Sequence, residues 1–197
     1  MNLYTFGKAV CSTLLKGLFR VEVKGLEHVP SSGGMLLCSN HIHNFDPPLV
    51  GVCSPRDVHF MAKAELFNVP LLKRILPKVK AFPVKRGSSD KQALRSGLSV
   101  LKDGHVLGLF PEGTRSKTGE LSEGLAGAGF FALKSEAYVV PCAIIGSYKF
   151  RKKITVIFGP PIDFSTLRTQ KASAKEATNL IMETIGQLIT NETSRNL

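Results

Sequence analysis

The residues best suited to chemistry lie in the stretch Ser39-Asn40-His41-Ile42-His43-Asn44-Phe45-Asp46-Pro47-Pro48. A histidine can take a proton from an alcohol near neutral pH, and a carboxylate on its other ring nitrogen fixes tautomer and orientation. His41 and Asp46 are the candidate pair, with His41 as general base. Their spacing imposes a condition. Five residues apart in one continuous helix, the two side chains would point about 140° apart at ~100° per residue. They meet only if the intervening segment is a turn or the beginning of a helix. Pro47 supports that geometry, because it disfavours helical backbone at Asp46 and suits the first helical position itself. On spacing alone, two plainer readings stay open. Asp46 could cap a helix beside a loop histidine, or His41, His43 and Asp46 could supply three ligands to a metal ion.

Two other stretches suit anions. In Phe110-Pro111-Glu112-Gly113-Thr114-Arg115-Ser116, Gly113 lets the backbone approach a ligand, Thr114 offers a hydroxyl and Arg115 a planar fork matched to phosphate. A turn with solvated charges is the plain alternative. Phe82-Pro83-Val84-Lys85-Arg86-Gly87 puts a basic pair between a strand end and a helix start, where anions are favoured. Surface Lys-Arg pairs are common, so that stretch is weak by itself.

These residues need a scaffold, and the hydrophobic pattern supplies one. Met35 to Ser39 reads as a buried strand and Pro47 to Cys53 as a short helix. Val58 to Met61 is strand-like, Leu66 to Leu76 helical but interrupted by Pro70, and Val79 to Val84 another strand. Ser88 or Ser89 could cap a helix carrying Leu94, Leu98 and Leu101 on one face, closed by Gly104. His105 to Phe110 reads as a buried strand, Leu125 to Lys134 as a helix, and Tyr138 to Ile145 as a strand. Ile154 to Phe158 gives the last strand and Ala174 to Ile189 the closing helix. This is an α/β pattern: one domain, with a mixed, mostly parallel sheet flanked by helices. His41 and Glu112 then follow strand ends, where open α/β sheets place their sites.

Residues 1–20 read as an N-terminal amphipathic helix, with residues 21–197 as the domain that carries the chemistry. Leu3, Phe6, Val10, Leu14 and Leu18 recur at helical spacing, and Tyr4, Cys11, Leu15 and Phe19 widen the arc. Lys8, Ser12, Lys16 and Arg20 mark the other side. Such a helix could pack on its own domain, lie in a membrane interface, or do both with different faces.

Composition narrows the partners. The 197 residues hold 26 Lys plus Arg against 15 Asp plus Glu, a formal charge of +11. That surplus attracts anions: nucleic acid, an anionic membrane leaflet or phosphorylated small molecules. The basic residues are scattered, with no low-complexity basic tail and no aromatic-rich RNA-binding signature, which favours membrane and phosphate. The 43% hydrophobic fraction excludes a disordered chain. No run reaches the ~20 apolar residues of a membrane span, and the N-terminus does not read as a secretory signal. Cysteines at 11, 38, 53 and 142 form no C-x-x-C pair and read as free thiols in a reducing compartment.

Taken in order, the motifs resemble those of the glycerolipid acyltransferase family, of the 1-acylglycerol-3-phosphate acyltransferase type. The family's H-x-x-x-x-D block matches His41 and Asp46, and its second block resembles Phe82 to Gly87 with Arg86 at the basic position. Its E-G-T-R-S block matches Glu112 to Ser116 residue for residue, and its hydrophobic V-P strand looks like Val140-Pro141. Met61 to Phe67 is similar to a recurrent stretch whose lysine, here Lys63, lies near the substrate phosphate. The resemblance spans roughly residues 20 to 165. His43, Lys85 and Glu123 depart from the usual pattern.

This resemblance implies a glycerol-3-phosphate acyltransferase-like fold and an enzyme with no metal or cofactor. It implies transfer of a fatty acyl group from acyl-CoA or acyl carrier protein to the free hydroxyl of 1-acylglycerol 3-phosphate, giving phosphatidic acid. His41 and Asp46 would be catalytic; Lys63, Arg86, Glu112, Gly113, Thr114 and Arg115 would bind substrate. The protein would sit on the cytoplasmic face of a membrane, peripheral or monotopic, and would not bind nucleic acid. The absence of a G-x-S-x-G elbow agrees with direct transfer, without an acyl-enzyme. The alternatives are an acyltransferase for glycerol 3-phosphate or another lysophospholipid, and a non-catalytic lipid- or anionic-surface-binding protein on the same fold.

Overall fold

The computed structural model describes residues 3–85 and 90–195. Its strands are β1 (Arg20–Lys24), β2 (Met35–Ser39), β3 (Val58–Lys63), β4 (Ala81–Val84), β5 (Val106–Leu109), β6 (Tyr138–Gly146) and β7 (Lys153–Phe158). Its helices are α1 (Leu3–Leu18), α2 (Asp46–Cys53), α3 (Pro70–Ile75), α4 (Lys91–Lys102), α5 (Gly127–Lys134), α6 (Ser165–Thr169) and α7 (Ala174–Arg195). All seven strands join one sheet in the order β1-β7-β6-β2-β5-β3-β4. Only the β6–β7 pairing is antiparallel among those described.

The centre of the sheet explains the reading of Met35 to Ser39. Every residue of β2 is buried, as a strand covered on both faces requires. Its side chains alternate between two cores, following the period of two. Met35 and Leu37 pack with Leu15, Phe19, Leu49 and Val50 beneath α1 and α2. Leu36 and Cys38 pack with Phe131, Ile181 and Ile185 beneath α5 and α7. Burying each such Leu, Ile or Phe contributes about 1.5–3 kcal/mol.

Several boundaries differ from the sequence reading. The expected helix over Leu66 to Leu76 is a 3₁₀ turn, Ala64–Asn68, followed by α3 with Pro70 in its first turn. Proline ends the first element and starts the second. β4 begins at Ala81 because Pro77–Val79 forms another 3₁₀ turn and Lys80 is left-handed at φ 60°. α5 begins at Gly127, after Leu125, and α7 runs on to Arg195. α4 is capped by Asp90, whose carboxylate accepts from the Ala93 amide at 3.0 Å; Ser88 and Ser89 lie outside the described residues. Gly104 does close α4, at φ 77° with its amide on the Leu101 carbonyl.

α1 packs on the domain through one face. Tyr4, Leu15 and Phe19 are buried, and the Tyr4 hydroxyl accepts from the Val58 amide at 2.9 Å. Lys8 belongs to this inner face, contrary to the helical wheel. Its ammonium donates to the Ser54 carbonyl at 2.6 Å, at the C-terminus of α2, where a cation and a free carbonyl suit each other. Phe6, Val10, Leu14 and Leu18 face outward. Among the described residues, no helix is long and apolar enough to cross a membrane.

Candidate active site

β2, β5, β3 and β4 are neighbouring parallel strands, so their carboxyl ends share one edge of the sheet. Each leads directly into a motif. His41 follows β2, Phe110 to Arg115 follow β5, Lys63 ends β3 and Lys85 follows β4. Parallel register therefore gathers residues from four separate stretches of the chain, as the rule for α/β sheets anticipates.

The segment after β2 is held at several points. Asn40 exchanges two hydrogen bonds with the backbone of Ile144 on β6, at 2.9 and 2.7 Å. The His41 amide donates to Glu112 Oε1 at 2.7 Å, and the His41 carbonyl accepts from the Ser116 amide at 2.8 Å. The chain then turns at His43 to Phe45 rather than continuing as helix, with the Asp46 amide on the His43 carbonyl. That turn meets the condition set by the spacing. His41 Nδ1 lies 2.7 Å from Asp46 Oδ2.

Asp46 is fully buried and stands at the start of α2. Its side chain turns upstream instead of capping that helix. Oδ2 also accepts from the amides of Ile42 and His43, each at 2.7 Å, and Oδ1 accepts from the Tyr148 hydroxyl at 2.5 Å. A carboxylate can only accept, so Nδ1 of His41 carries the proton and Nε2 has its lone pair free. Burial and the neighbouring carboxylate both push the Tyr148 phenol well above its ordinary pKa, which keeps it a neutral donor. His41 is 8% exposed, and its ring stacks on Phe110 at 4.2 Å.

His41, Met61 and Phe110 line two cavities at once. One, of ≈ 720 Å³, runs beneath α1 and α2 along Gly51, Phe60, Leu66 and Leu76. The other, of ≈ 500 Å³, lies toward α4 and α5 along Leu94, Leu109, Phe130 and Phe131. Both are walled largely by apolar side chains. Lys63, Thr114 and Arg115 lie in the lining of the first; Lys85 and Gly113 lie in that of the second.

The sequence candidates thus fall into groups. Thr114, Arg115 and Lys63 reach the same cavity as His41, with the Lys63 ammonium 3.6 Å from Glu65. Gly113 has φ 68°, a left-handed conformation that favours glycine, and a Cβ there would displace the Leu125 side chain. Glu112 is turned inward. It is 5% exposed, with Oε1 on the His41 amide and Oε2 accepting from the Ser122 amide and hydroxyl at 3.1 and 2.6 Å. Arg86 lies outside the described residues. The three-ligand alternative does not assemble: the His43 ring stacks on Tyr148 at 4.4 Å. Among the described residues, no three His, Cys, Asp or Glu converge as a metal site. Tyr148 and Ser122 escaped the sequence reading, although Tyr148 follows the carboxyl end of β6, where the same strand-end rule applies.

An amphipathic substrate fits such a place: apolar chambers for chains, cations for a charged group, and a base where the two meet. The chain belongs to the acyltransferase family, whose model matches residues 20–145, and it is an enzyme of that family. It is 32% identical over 184 residues to the 1-acyl-sn-glycerol-3-phosphate acyltransferase of Bacillus subtilis, covering 86% of this chain and 92% of the relative. The chloroplastic enzyme of that name from Arabidopsis thaliana is 29% identical over 66% of this chain and 37% of its own length. The crystal structure of the 1-acyl-sn-glycerophosphate acyltransferase PlsC from Thermotoga maritima superposes with a TM-score of 0.72 at 25% identity, covering 94% of this chain and 77% of the other.

Proposed function

We propose that the enzyme transfers a fatty acyl group from an acyl thioester to the free hydroxyl of 1-acylglycerol 3-phosphate, producing phosphatidic acid. The names of the Bacillus and Thermotoga relatives supply the acceptor class. The observation that carries the mechanism is the His41–Asp46 pair, with Nε2 free beside two apolar cavities.

Nε2 of His41 accepts the hydroxyl proton as the alcohol oxygen attacks the thioester carbonyl carbon. Asp46 stabilises the imidazolium that forms. The tetrahedral intermediate collapses, the C–S bond breaks, and the imidazolium returns the proton to the departing thiolate. An ester and a free thiol result, from coenzyme A or acyl carrier protein. Arg115 and Lys63 hold the acceptor phosphate and orient the attacking oxygen, with Arg86 as a third cation and Thr114 as a hydroxyl donor. Glu112 is a positioning residue: it holds the His41 backbone and Ser122 instead of touching the acceptor. No step calls for a metal or a cofactor. The enzyme works peripherally on a membrane, with residues 1–20 as its anchor and residues 21–197 as the catalytic domain.

A thiol-release assay with purified protein tests this reading, crossing acyl-CoA and acyl carrier protein donors against 1-acylglycerol 3-phosphate, glycerol 3-phosphate and other lysophospholipids. Release with 1-acylglycerol 3-phosphate above the other acceptors is the expected result. Preference for glycerol 3-phosphate would reassign the acceptor.

A further inference from the structure

The turn between β6 and β7 carries an exposed aromatic ring among cations. Ser147-Tyr148-Lys149-Phe150-Arg151-Lys152 contains no acidic residue. Lys149, Arg151 and Lys152 are exposed, and Phe150 is 70% exposed. This exposure is built into the backbone. The Lys152 amide closes the turn on the Lys149 carbonyl, and Arg151 adopts φ 57° at its tip. The Arg151 amide donates to the Leu18 carbonyl at 2.8 Å, and the Arg20 amide to the Lys152 carbonyl at 3.0 Å. Beneath the turn, Tyr148 packs edge-on against Phe19 at 5.3 Å and lies 6.1 Å from Phe45. Phe150 is therefore held in water on a pinned turn, where an uncovered ring forgoes its burial energy.

Leu18, to which the turn is bonded, is the last residue of the outward ridge Phe6, Val10, Leu14 and Leu18 on α1. Exposed Lys16 and Arg20 flank that end. Among the described residues, none of Lys16, Arg20, Lys149, Arg151 and Lys152 forms an ion pair. Apolar side chains rimmed by cations without carboxylate partners match an anionic bilayer, with rings and aliphatic groups entering the acyl boundary and cations meeting headgroups; the Arg151 guanidinium also lies 6.0 Å from the Phe150 ring centre. A ridge repeated along a whole helix suits a plane of lipid better than a protein knob.

We propose that the β6–β7 turn is a second bilayer contact, continuous with the α1 ridge, which takes anionic lipid headgroups through Lys149, Arg151 and Lys152 and inserts Phe150. This rests on the peripheral-membrane part of the reading above and adds a specific surface and lipid charge to it. The root of the turn reaches Asp46 through Tyr148, so a bilayer seated on it lies beside the segment that carries His41.

The test is flotation with vesicles of phosphatidylcholine, alone or mixed equally with phosphatidylglycerol, using the full chain. Replacing Lys149, Arg151 and Lys152 together by Gln should weaken binding to the anionic vesicles about tenfold or more, with little change on phosphatidylcholine. Phe150→Ser should weaken both. Thiol release with a short-chain, water-soluble acceptor and no vesicles should match wild type in all variants, since none of these side chains lines the cavities. Anionic-vesicle binding unchanged in the triple variant would overturn the proposal while leaving acyl transfer standing. So would loss of binding to an acidic carrier protein with vesicle binding intact, which would assign the turn to the donor's protein. Absence of thiol release from wild type would instead remove the proposed reaction and leave the bilayer contact.

Discussion

The hydroxyl of Tyr148 donates to Asp46 Oδ1 at 2.5 Å, from a position 102 residues further along the chain. The same ring stacks on His43. One side chain thereby braces both the carboxylate and the turn that brings it to His41. A hydrogen bond to a charged group is worth about 1.5–3 kcal/mol. Tyr148→Phe keeps the ring and removes only the donor, so kcat should fall about tenfold to a hundredfold with KM little changed. The pH–rate profile should move as well, because the carboxylate facing His41 has lost a partner. A purely structural role would lower the melting temperature and leave the profile in place.

Glu112 makes a different kind of contribution. Removing its carboxylate strands the buried His41 amide, at roughly 1–3 kcal/mol for such a loss, and leaves the donors of exposed Ser122 to water. Glu112→Ala should therefore lower the urea midpoint as well as activity. Glu112→Gln retains one acceptor oxygen and should recover part of both. If the Ala variant keeps its stability and only the acceptor KM rises, Glu112 contacts substrate after all.

Arg115 is exposed in the lining of the larger cavity, and the role proposed for it rests on charge. Arg115→Ala should raise the acceptor KM about tenfold to a hundredfold, with a smaller effect on kcat. An unchanged KM across an acceptor titration would argue against a phosphate clamp there.

How these residues assemble was only partly legible in the sequence. Met35 to Ser39 stood out because a strand buried on both faces is apolar throughout, and its limits match β2. β1 did not stand out. Its Arg20-Val21-Glu22-Val23-Lys24 is short and charged, as an edge strand tolerates, and pairing with β7 defines it. Lys8 looked solvent-facing because periodicity cannot register the Ser54 carbonyl that draws it inward. In the site, His41, Asp46 and Arg115 were visible through residue type and motif spacing. Tyr148 was hidden, since its meaning comes from β6 lying beside β2. Glu112 was visible, but its inward orientation depends on Ser122 across a loop.

At the other end of the sheet, His59 stacks on His105 at 5.1 Å. Burial first, then the charges of Lys80 and His105, hold His59 below its ordinary pKa of 6.5, while the Val106 carbonyl and then Asp57 oppose them. In the window just below that value the unfolded chain binds more protons than the folded one, so stability rises with pH there. Urea midpoints should therefore decline as the pH falls through that window, and His59→Gln should flatten the decline. An identical slope in the variant would place the acid sensitivity elsewhere.

The central claim concerns the free nitrogen of His41. His41→Ala and His41→Gln should leave the fold intact by circular dichroism, since His41 is held through its backbone by Glu112 and Ser116. Single-turnover thiol release in the presence of saturating acceptor is the direct measurement. A fall of about a hundredfold to ten-thousandfold is expected for loss of a general base. A near-normal rate in a folded His41 variant would contradict the mechanism.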